Sequence, residues 1–335
     1  MNLFNVPLSS PTKQYTTLND VDYQYHNLLR NIIKNGYEKQ NRTGVKTISV
    51  FGEQIKFKNI TKNFPLLTTK KLHLKSVIGE LLWFLSGSSN KHELKEKYGV
   101  SIWDEWGDDE TGELGPVYGK QWRKWQGWLV NTETGKCGSL WFDQISQIVE
   151  QLKKNPDDRR IMVSAWNVAD IDKMALPPCH YAFQIWTRDL NLEERIKIYE
   201  DNFTNGIKIQ HDEWVESKLS TRNISKKAIS LLWNQRSCDT FLGIPFNIAS
   251  YAILLLMLAQ QTNMYADELI GHLGDTHLYE NHMEYVNQQL ARDSKSEPPQ
   301  MLLNKKDSIF DYTPEDFTLV NYESWPNWRN IPIAI

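Results

Sequence analysis

The sequence predicts an α+β protein whose sheet packs around one buried helix. Three observations carry this prediction. Ile248–Gln261 is apolar on most faces, which marks a helix at the centre of a core. Thr47–Phe57 alternates as a strand, and Ile161–Trp166, Tyr181–Thr187 and the apolar run from Ile229 read as further strands. Helical stripes fall between these runs without a regular βα alternation, which indicates α+β.

Residues 1–18 are an irregular lead-in with Pro7, Pro11 and a Ser/Thr cluster. Tyr23, Leu28, Leu29, Ile32 and Ile33 then form a helical stripe, closed by Asn35-Gly36. Arg42-Thr43-Gly44 is a turn before the Thr47–Phe57 strand. A second apolar helix spans Leu74–Leu85 and stops at Ser86-Gly87, with Glu80 interrupting its buried pattern. Residues 103–142 read as irregular and rich in Trp, Gly and Tyr. From Asp143 a helix carries Ile145, Ile148, Val149 and Leu152, and Pro156 ends it. Asp157-Asp158-Arg159-Arg160 leads into the next strand, and a loop with Pro177-Pro178 leads into the one after. Residues 188–226 are charged and show no period or apolar face, so they read as an insertion at a hairpin tip. Gly243 and Pro245 are expected to break the backbone before the central helix, and Tyr279–Arg292 to form the last one. The whole chain, 1–335, reads as one domain carrying these additions.

Charge and cysteine usage narrow the function classes. The net charge of −3 and the dispersed Lys and Arg give no basic run suited to nucleic acid. The longest apolar run is too short to span a bilayer. Cys137, Cys179 and Cys238 form no CxxC pair and leave one over, which suits a reducing, cytoplasmic setting better than a disulfide framework. The stretch MNLFNVPLSSPTKQYTT has no basic region followed by an apolar one, so no signal peptide is expected. His277 and His282 lack metal-ligand spacing such as HExxH, and no metal is expected.

The chemistry concentrates in Leu231–Tyr251, LLWNQRSCDTFLGIPFNIASY. Gln235, Arg236, Ser237 and Asp239 crowd into five positions of a strand-to-helix turn, with Asn247 beyond. A cation, hydroxyl, carboxylate and carboxamide together suit a phosphorylated, hydrogen-bonding heterocycle. The plainer reading is a loop whose polar groups satisfy backbone ends. Cys179, in LPPCHY, is either a nucleophile or an ordinary buried thiol. Arg42, Arg159, Arg160 and Arg236 are each an exposed ion-pair residue or part of an anion site, since guanidinium forks match phosphate oxygens. His277 and Tyr279 can serve a sugar hydroxyl or cap a helix.

LPPCH, DRR-IMVSAWN, QRSCDTFLGIPFNIASYA and GDTHLYENH, in this order, resemble the thymidylate synthase family. ELLWFLSG, IWDEW, LGPVYGKQW and the closing PIAI extend the similarity from about Tyr23 to Ile335. The resemblance implies a bent mixed sheet packed against helices, with one sheet face forming a homodimer interface. It implies dUMP as substrate and methylenetetrahydrofolate as one-carbon donor and reductant, with dTMP as product. Carried over by position, Cys179 resembles the nucleophile that adds to C6 of the base. Arg42, Arg236 and Ser237 would hold the phosphate, with Arg159 and Arg160 reaching in from the partner subunit. Gln235 and Asn247 would face the base, His277 and Tyr279 the deoxyribose, and Asp239 the pterin. Glu80 resembles the carboxylate that organises water and moves protons, and Tyr118 the group that helps remove the C5 proton. Ile102, Trp103, Trp106, Leu176, Gly243 and Phe246 resemble the folate wall, over which Ala334 and Ile335 would close.

Four departures from the family pattern stand out. Asn41 replaces Asp before RTG, Val45-Lys46 replace small residues after it, Gly79 stands for His before ELLW, and Asn234 for Tyr before QRS. Segments 126–142 and 188–226 are longer than in compact members. Three other readings remain open at this level. One is a dUMP hydroxymethylase, in which water replaces hydride. Another is a cysteine hydrolase on Cys179, and the third a Trp-rich binding module.

Overall fold

The computed structural model describes residues 18–130, 133–204, 206–209 and 214–333. The expected lead-in therefore lies outside the described residues apart from Leu18, and so does the proposed lid at Ala334 and Ile335. Helix α1 (Asp20–Asn35) begins where Asn19 accepts the Asp22 N–H, and buries the Tyr25, Leu28, Leu29 and Ile32 stripe. It is followed by β1 (Tyr37–Lys39) and β2 (Thr47–Lys58). Helices α2 (Leu74–Ser86), α3 (Lys91–Tyr98) and α4 (Tyr118–Arg123) come next. A hairpin of β3 (Trp125–Val130) and β4 (Cys137–Phe142) leads to α5 (Gln144–Lys154). Then come β5 (Met162–Ser164), β6 (His180–Asp189), α6 (Leu192–Phe203), α7 (Val215–Thr221) and β7 (Lys227–Asp239). The central helix α8 (Gly243–Thr262), β8 (Tyr265–Tyr279), α9 (Met283–Leu290), β9 (Gln300–Leu303) and β10 (Phe317–Val320) complete the chain.

The main sheet has six strands in the order β1-β2-β8-β7-β6-β5. Its pairs are antiparallel except β7 with β8, which run parallel and are joined by α8. The fold is thus α+β with a mixed sheet packed against helices, as expected. Phe183, Trp233, Gly271 and Ile55 stand in register across four strands and face the core. Gly271 is dictated by Trp233: a Cβ there would lie 2.4 Å from the indole ring. That ring stacks on Tyr251 of α8 at 5.5 Å and 9°. The neighbouring register puts Met162, Gln184, Leu232 and Ile270 on the opposite face, which leaves Met162, Gln184 and nearby Trp186 exposed.

Several elements differ from the sequence expectation. Segment 103–142 is not wholly irregular, because α4, β3 and β4 form within it. Most of β3 and β4 is exposed, so neither strand carries the alternation that marks a half-buried one. Segment 188–226 does stand at the β6–β7 hairpin tip, but it folds as α6 and α7 around Leu190, Ile196, Ile198, Val215, Leu219 and Ile224. Asn191 and Glu194 form a capping box at its first helix. The backbone does not break at Gly243 and Pro245. Helix α8 starts at Gly243, and Pro245 sits in the first turn, where its missing N–H has no intrahelical partner to lose. The final helix begins at Met283, because Tyr265–Tyr279 is a strand.

Candidate active site

The polar residues of the sequence converge where the carboxyl ends of β7 and β8 meet the start of β6 and the loop between β1 and β2. The register sets this meeting point: His180 pairs with Gln235, Asp239 with His277, and Thr47 with Tyr279. Two parallel strands ending together next to a helix start make a natural crevice for a small ligand.

Cys179 sits at the entrance to β6, partly exposed. Its N–H donates to Tyr118 Oη at 2.8 Å, and its carbonyl accepts the Arg236 N–H at 2.8 Å. The Arg236 guanidinium clamps the same loop, with Nε donating to Pro178 O and Nη2 to Pro177 O, both at 2.9 Å. Burial pushes the Cys179 thiol up, the positive charges of Arg236 and then Arg42 draw it back, and Asp239 opposes them. Cys238 is fully buried and burial drives it to about 12, so it is the inert thiol of the pair. Cys137 is exposed on β4, away from these groups.

His180, next to Cys179 in sequence, is not a base for it. Its Nδ1 lies 2.8 Å from Tyr251 Oη, and its ring stacks on Tyr118 at 4.3 Å. Burial holds it down to about 3, so it stays neutral. Glu80 projects from α2, and its Oε1 accepts the Trp103 indole N–H at 2.8 Å. Burial raises its carboxyl from the ordinary value to about 7, against a smaller opposing effect of that bond. Tyr118 is buried and its hydroxyl is shifted well up, first by burial and then by Cys179. Gly79 has a packing reason: a Cβ would lie 2.8 Å from that of Tyr98, so a histidine does not fit beneath α2 here.

The polar turn is organised internally. The Trp233 indole N–H donates to Gln235 Oε1 at 3.2 Å. Gln235 Nε2 then donates to Ser237 O at 3.0 Å and Asn247 Oδ1 at 3.1 Å. An indole only donates, so the chain of bonds orients both carboxamides and leaves the Asn247 amide as a donor. Asp239 Oδ1 accepts the N–H groups of Phe241 and Leu242 in the turn that leads into α8. Gly243 lies between Asp239 and Asn247, with a notional Cβ 3.7 Å from one and 3.8 Å from the other.

Arg42, His277 and Tyr279 share a cavity of about 190 Å³ with Lys39, Thr47 and Asp275. Asn41 shapes the arginine's turn: Oδ1 accepts from the Thr43 N–H at 2.9 Å, and Nδ2 donates to Val45 O at 2.8 Å. Asparagine therefore serves where the family pattern has aspartate. Burial raises the Tyr279 hydroxyl, and Asp239, Arg42 and Cys179 all act on it, which ties this cavity to the cysteine.

Trp103 is buried and Trp106 half-buried, with ring centroids 6.0 Å apart and edge to face. Leu176 and Phe246 pack as half-buried apolar groups, and Ile102 is exposed. Arg159 and Arg160 do not join the cluster within this chain. Both are exposed ahead of β5, at the sheet edge opposite β1, and Arg160 pairs with Asp158 at 2.9 Å. Sequence reasoning missed Lys39, Asp275 and Tyr251. Tyr251 stands one helical turn after Asn247 in the same motif, the only signal that pointed to it. Among the described residues, no cluster of three His, Cys, Asp or Glu side chains is arranged to hold a metal.

The thymidylate synthase family profile matches residues 23–334, nearly the whole chain. The chain belongs to the thymidylate synthase family. Members of this family are enzymes that use methylenetetrahydrofolate. Cys179, Arg236, Asn247, Arg42, His277 and Tyr279 all lie within this matched region.

Proposed function

We propose that the protein converts dUMP to dTMP through a covalent adduct between Cys179 and C6 of the uracil. The observation that carries this reading is the position of Cys179 between Tyr118 and the Arg236 clamp, within electrostatic reach of Arg42. Arg42, Arg236 and Ser237 hold the 5′-phosphate, whose fork-matching oxygens suit guanidinium groups. Gln235 holds Asn247 so that its amide donates to the O4 side of the base. As Cys179 Sγ bonds to C6, the C5–C6 pair of electrons moves toward C5 and O4, and this donor stabilises the resulting enolate.

The site fits a folate. Trp103, Trp106, Leu176 and Phe246 offer apolar surface, Gly243 leaves room beside them, and Asp239 Oδ2 accepts no bond among the described residues. Bound methylenetetrahydrofolate supplies the one-carbon unit and then the hydride. Glu80, poised near neutrality, is assigned the holding and moving of protons, and Tyr118, whose hydroxyl accepts the Cys179 N–H, the removal of the C5 proton. Loss of that proton would expel the folate nitrogen from the transferred carbon and leave a methylene at C5; hydride delivered to this carbon would return electrons to the C5–C6 bond, expel the Cys179 thiolate and restore the aromatic base. The apolar tail through Ala334 is proposed to keep water out, which favours hydride over water. The hydroxymethylase is the competing outcome at this last step.

Two observations support a homodimer. The exposed Met162 and Trp186 lie on the sheet face opposite the core, and Arg159 and Arg160 are isolated from the other arginines. A partner seated on that face would place the second pair of arginines on the phosphate. The free thiols Cys137, Cys179 and Cys238 suit a reducing compartment, the cytoplasm. A cysteine hydrolase is disfavoured because His180 Nδ1 is engaged with Tyr251 Oη, and among the described residues no hydrogen bond joins the imidazole to the Cys179 thiol. The test is Cys179→Ser, which should bind dUMP but lose at least about a thousandfold in turnover, since an alkoxide forms far less readily than a thiolate. Near-normal turnover by the purified variant would remove the nucleophile assignment.

A further inference from the structure

Lys39 and Asp275 line the same cavity as Arg42, His277 and Tyr279, yet the proposed chemistry gives them no task. Lys39 ends β1, and its Nζ donates to Asp275 Oδ2 at 3.0 Å. Asp275 lies on β8 two residues before His277, so the strand period puts both side chains on one face. His277 Nδ1 is 3.1 Å from the Asp275 carbonyl oxygen and 3.4 Å from its carboxylate Oδ1. A ring nitrogen that meets two acceptors carries the proton. In a neutral imidazole the other nitrogen, Nε2, is then a bare acceptor. Among the described residues nothing bonds to Nε2, although His277 is only 8% exposed. The Asp275 carboxyl is held down to about 2, chiefly by His277 and then by Lys39, so it remains an anion at working pH.

We propose that Asp275 and Lys39 are positioning residues that fix His277 as a hydrogen-bond acceptor for the free 3′-hydroxyl of a 2′-deoxynucleoside 5′-phosphate. Asp275 sets the tautomer, and Lys39 holds Asp275 against the ring. The same contact ties β1, which carries the chain to Arg42, to the strand that carries His277. Phosphate grip and sugar recognition are thereby linked through one ion pair. This inference rests on the reading of the crevice as a dUMP site.

The experiment is a cycle between a protein atom and a substrate atom. Values of kcat/KM are measured for dUMP and for its 3′-deoxy analogue with wild type, Asp275→Asn, Lys39→Ala and Lys39→Arg. Loss of one neutral hydrogen bond should cost the wild type about 10-fold on the analogue. Asp275→Asn keeps the main-chain acceptor of Nδ1 but replaces the carboxylate that faces the ring and holds Lys39, so it should lose about 10-fold on dUMP and little on the analogue, and discrimination collapses. Lys39→Ala should give part of this loss and Lys39→Arg should restore it. Equal losses on both substrates would reduce the pair to a structural role and overturn the inference. If Asp275→Asn does not fold, the Lys39 pair decides: unchanged discrimination in Lys39→Ala overturns it. A wild type that does not turn over dUMP overturns the underlying reading as well, and is seen before any variant is made.

Discussion

The Glu80→Gln variant should be more stable than the wild type at alkaline pH, and inactive. The carboxyl stands at about 7 in the folded chain against an ordinary 4.5, and burial is the principal cause. Below pH 4.5 both folded and unfolded chains hold the proton, and burial costs little. Between 4.5 and about 7 the unfolded chain releases its proton first, so this group lowers native stability as pH rises. Above about 7 the full cost applies, nominally about 3.5 kcal/mol at roughly 1.4 kcal/mol per pH unit. The residue keeps partial access to solvent, so the working expectation is about 1–3 kcal/mol. The neutral carboxamide of the variant would carry no such cost, and its carbonyl oxygen can still accept the Trp103 N–H. Urea unfolding of both proteins, from pH 4.5 to 8.5, measures the difference directly. The gap should grow from near zero to about 1–3 kcal/mol in favour of the variant, while turnover falls at least about 100-fold because the proton-moving group is gone. A gap that does not change with pH would refute the reasoning, and so would an active variant.

Three further outcomes follow from the geometry. Arg159→Ala, inactive alone, should regain activity when exchanged with inactive Cys179→Ser subunits, because one hybrid site is then intact. Verified exchange without activity removes the shared site. Asn247→Asp should weaken dUMP and relatively favour dCMP, since a carboxylate cannot donate to O4 but accepts from the amino group of cytosine. An unchanged ratio of kcat/KM for the two nucleotides counts against Asn247 as the base reader. Gly271→Ala would drive a Cβ to 2.4 Å from the Trp233 ring, and overpacking of this kind costs about 1–3 kcal/mol in urea unfolding. A loss below about 0.5 kcal/mol would show that the ring can yield.

What the sequence revealed depended on how each element buries its side chains. α1, α2 and α5 each bury apolar residues at helical spacing and carry stop signals, so they could be read directly. β8 was hidden because Gly271 and Gly274 replace side chains where Trp233 and the β7 backbone approach, and Asp267, Glu268 and Asp275 interrupt the apolar pattern. α6 and α7 were hidden by charge, their buried face being only a few residues long. Residue types and motif order singled out Cys179, Arg236, Asn247 and His277 as candidates, and the fold brings the strands and loops that carry them together. Lys39 was not legible, because an exposed lysine on a three-residue strand gives no sign of the carboxylate it meets 236 residues later. Arg159 and Arg160 show the opposite limit: the family resemblance groups them with Arg42 and Arg236, while within one chain they stand at the opposite edge of the sheet.

The identity of the products tests the central claim most directly. The protein is incubated with dUMP and methylenetetrahydrofolate, and both products are identified by mass. The proposed exclusion of water beside Trp103 and Trp106 predicts dTMP and dihydrofolate in equal amounts. Hydroxymethyl-dUMP with tetrahydrofolate would contradict the account and make water the final nucleophile.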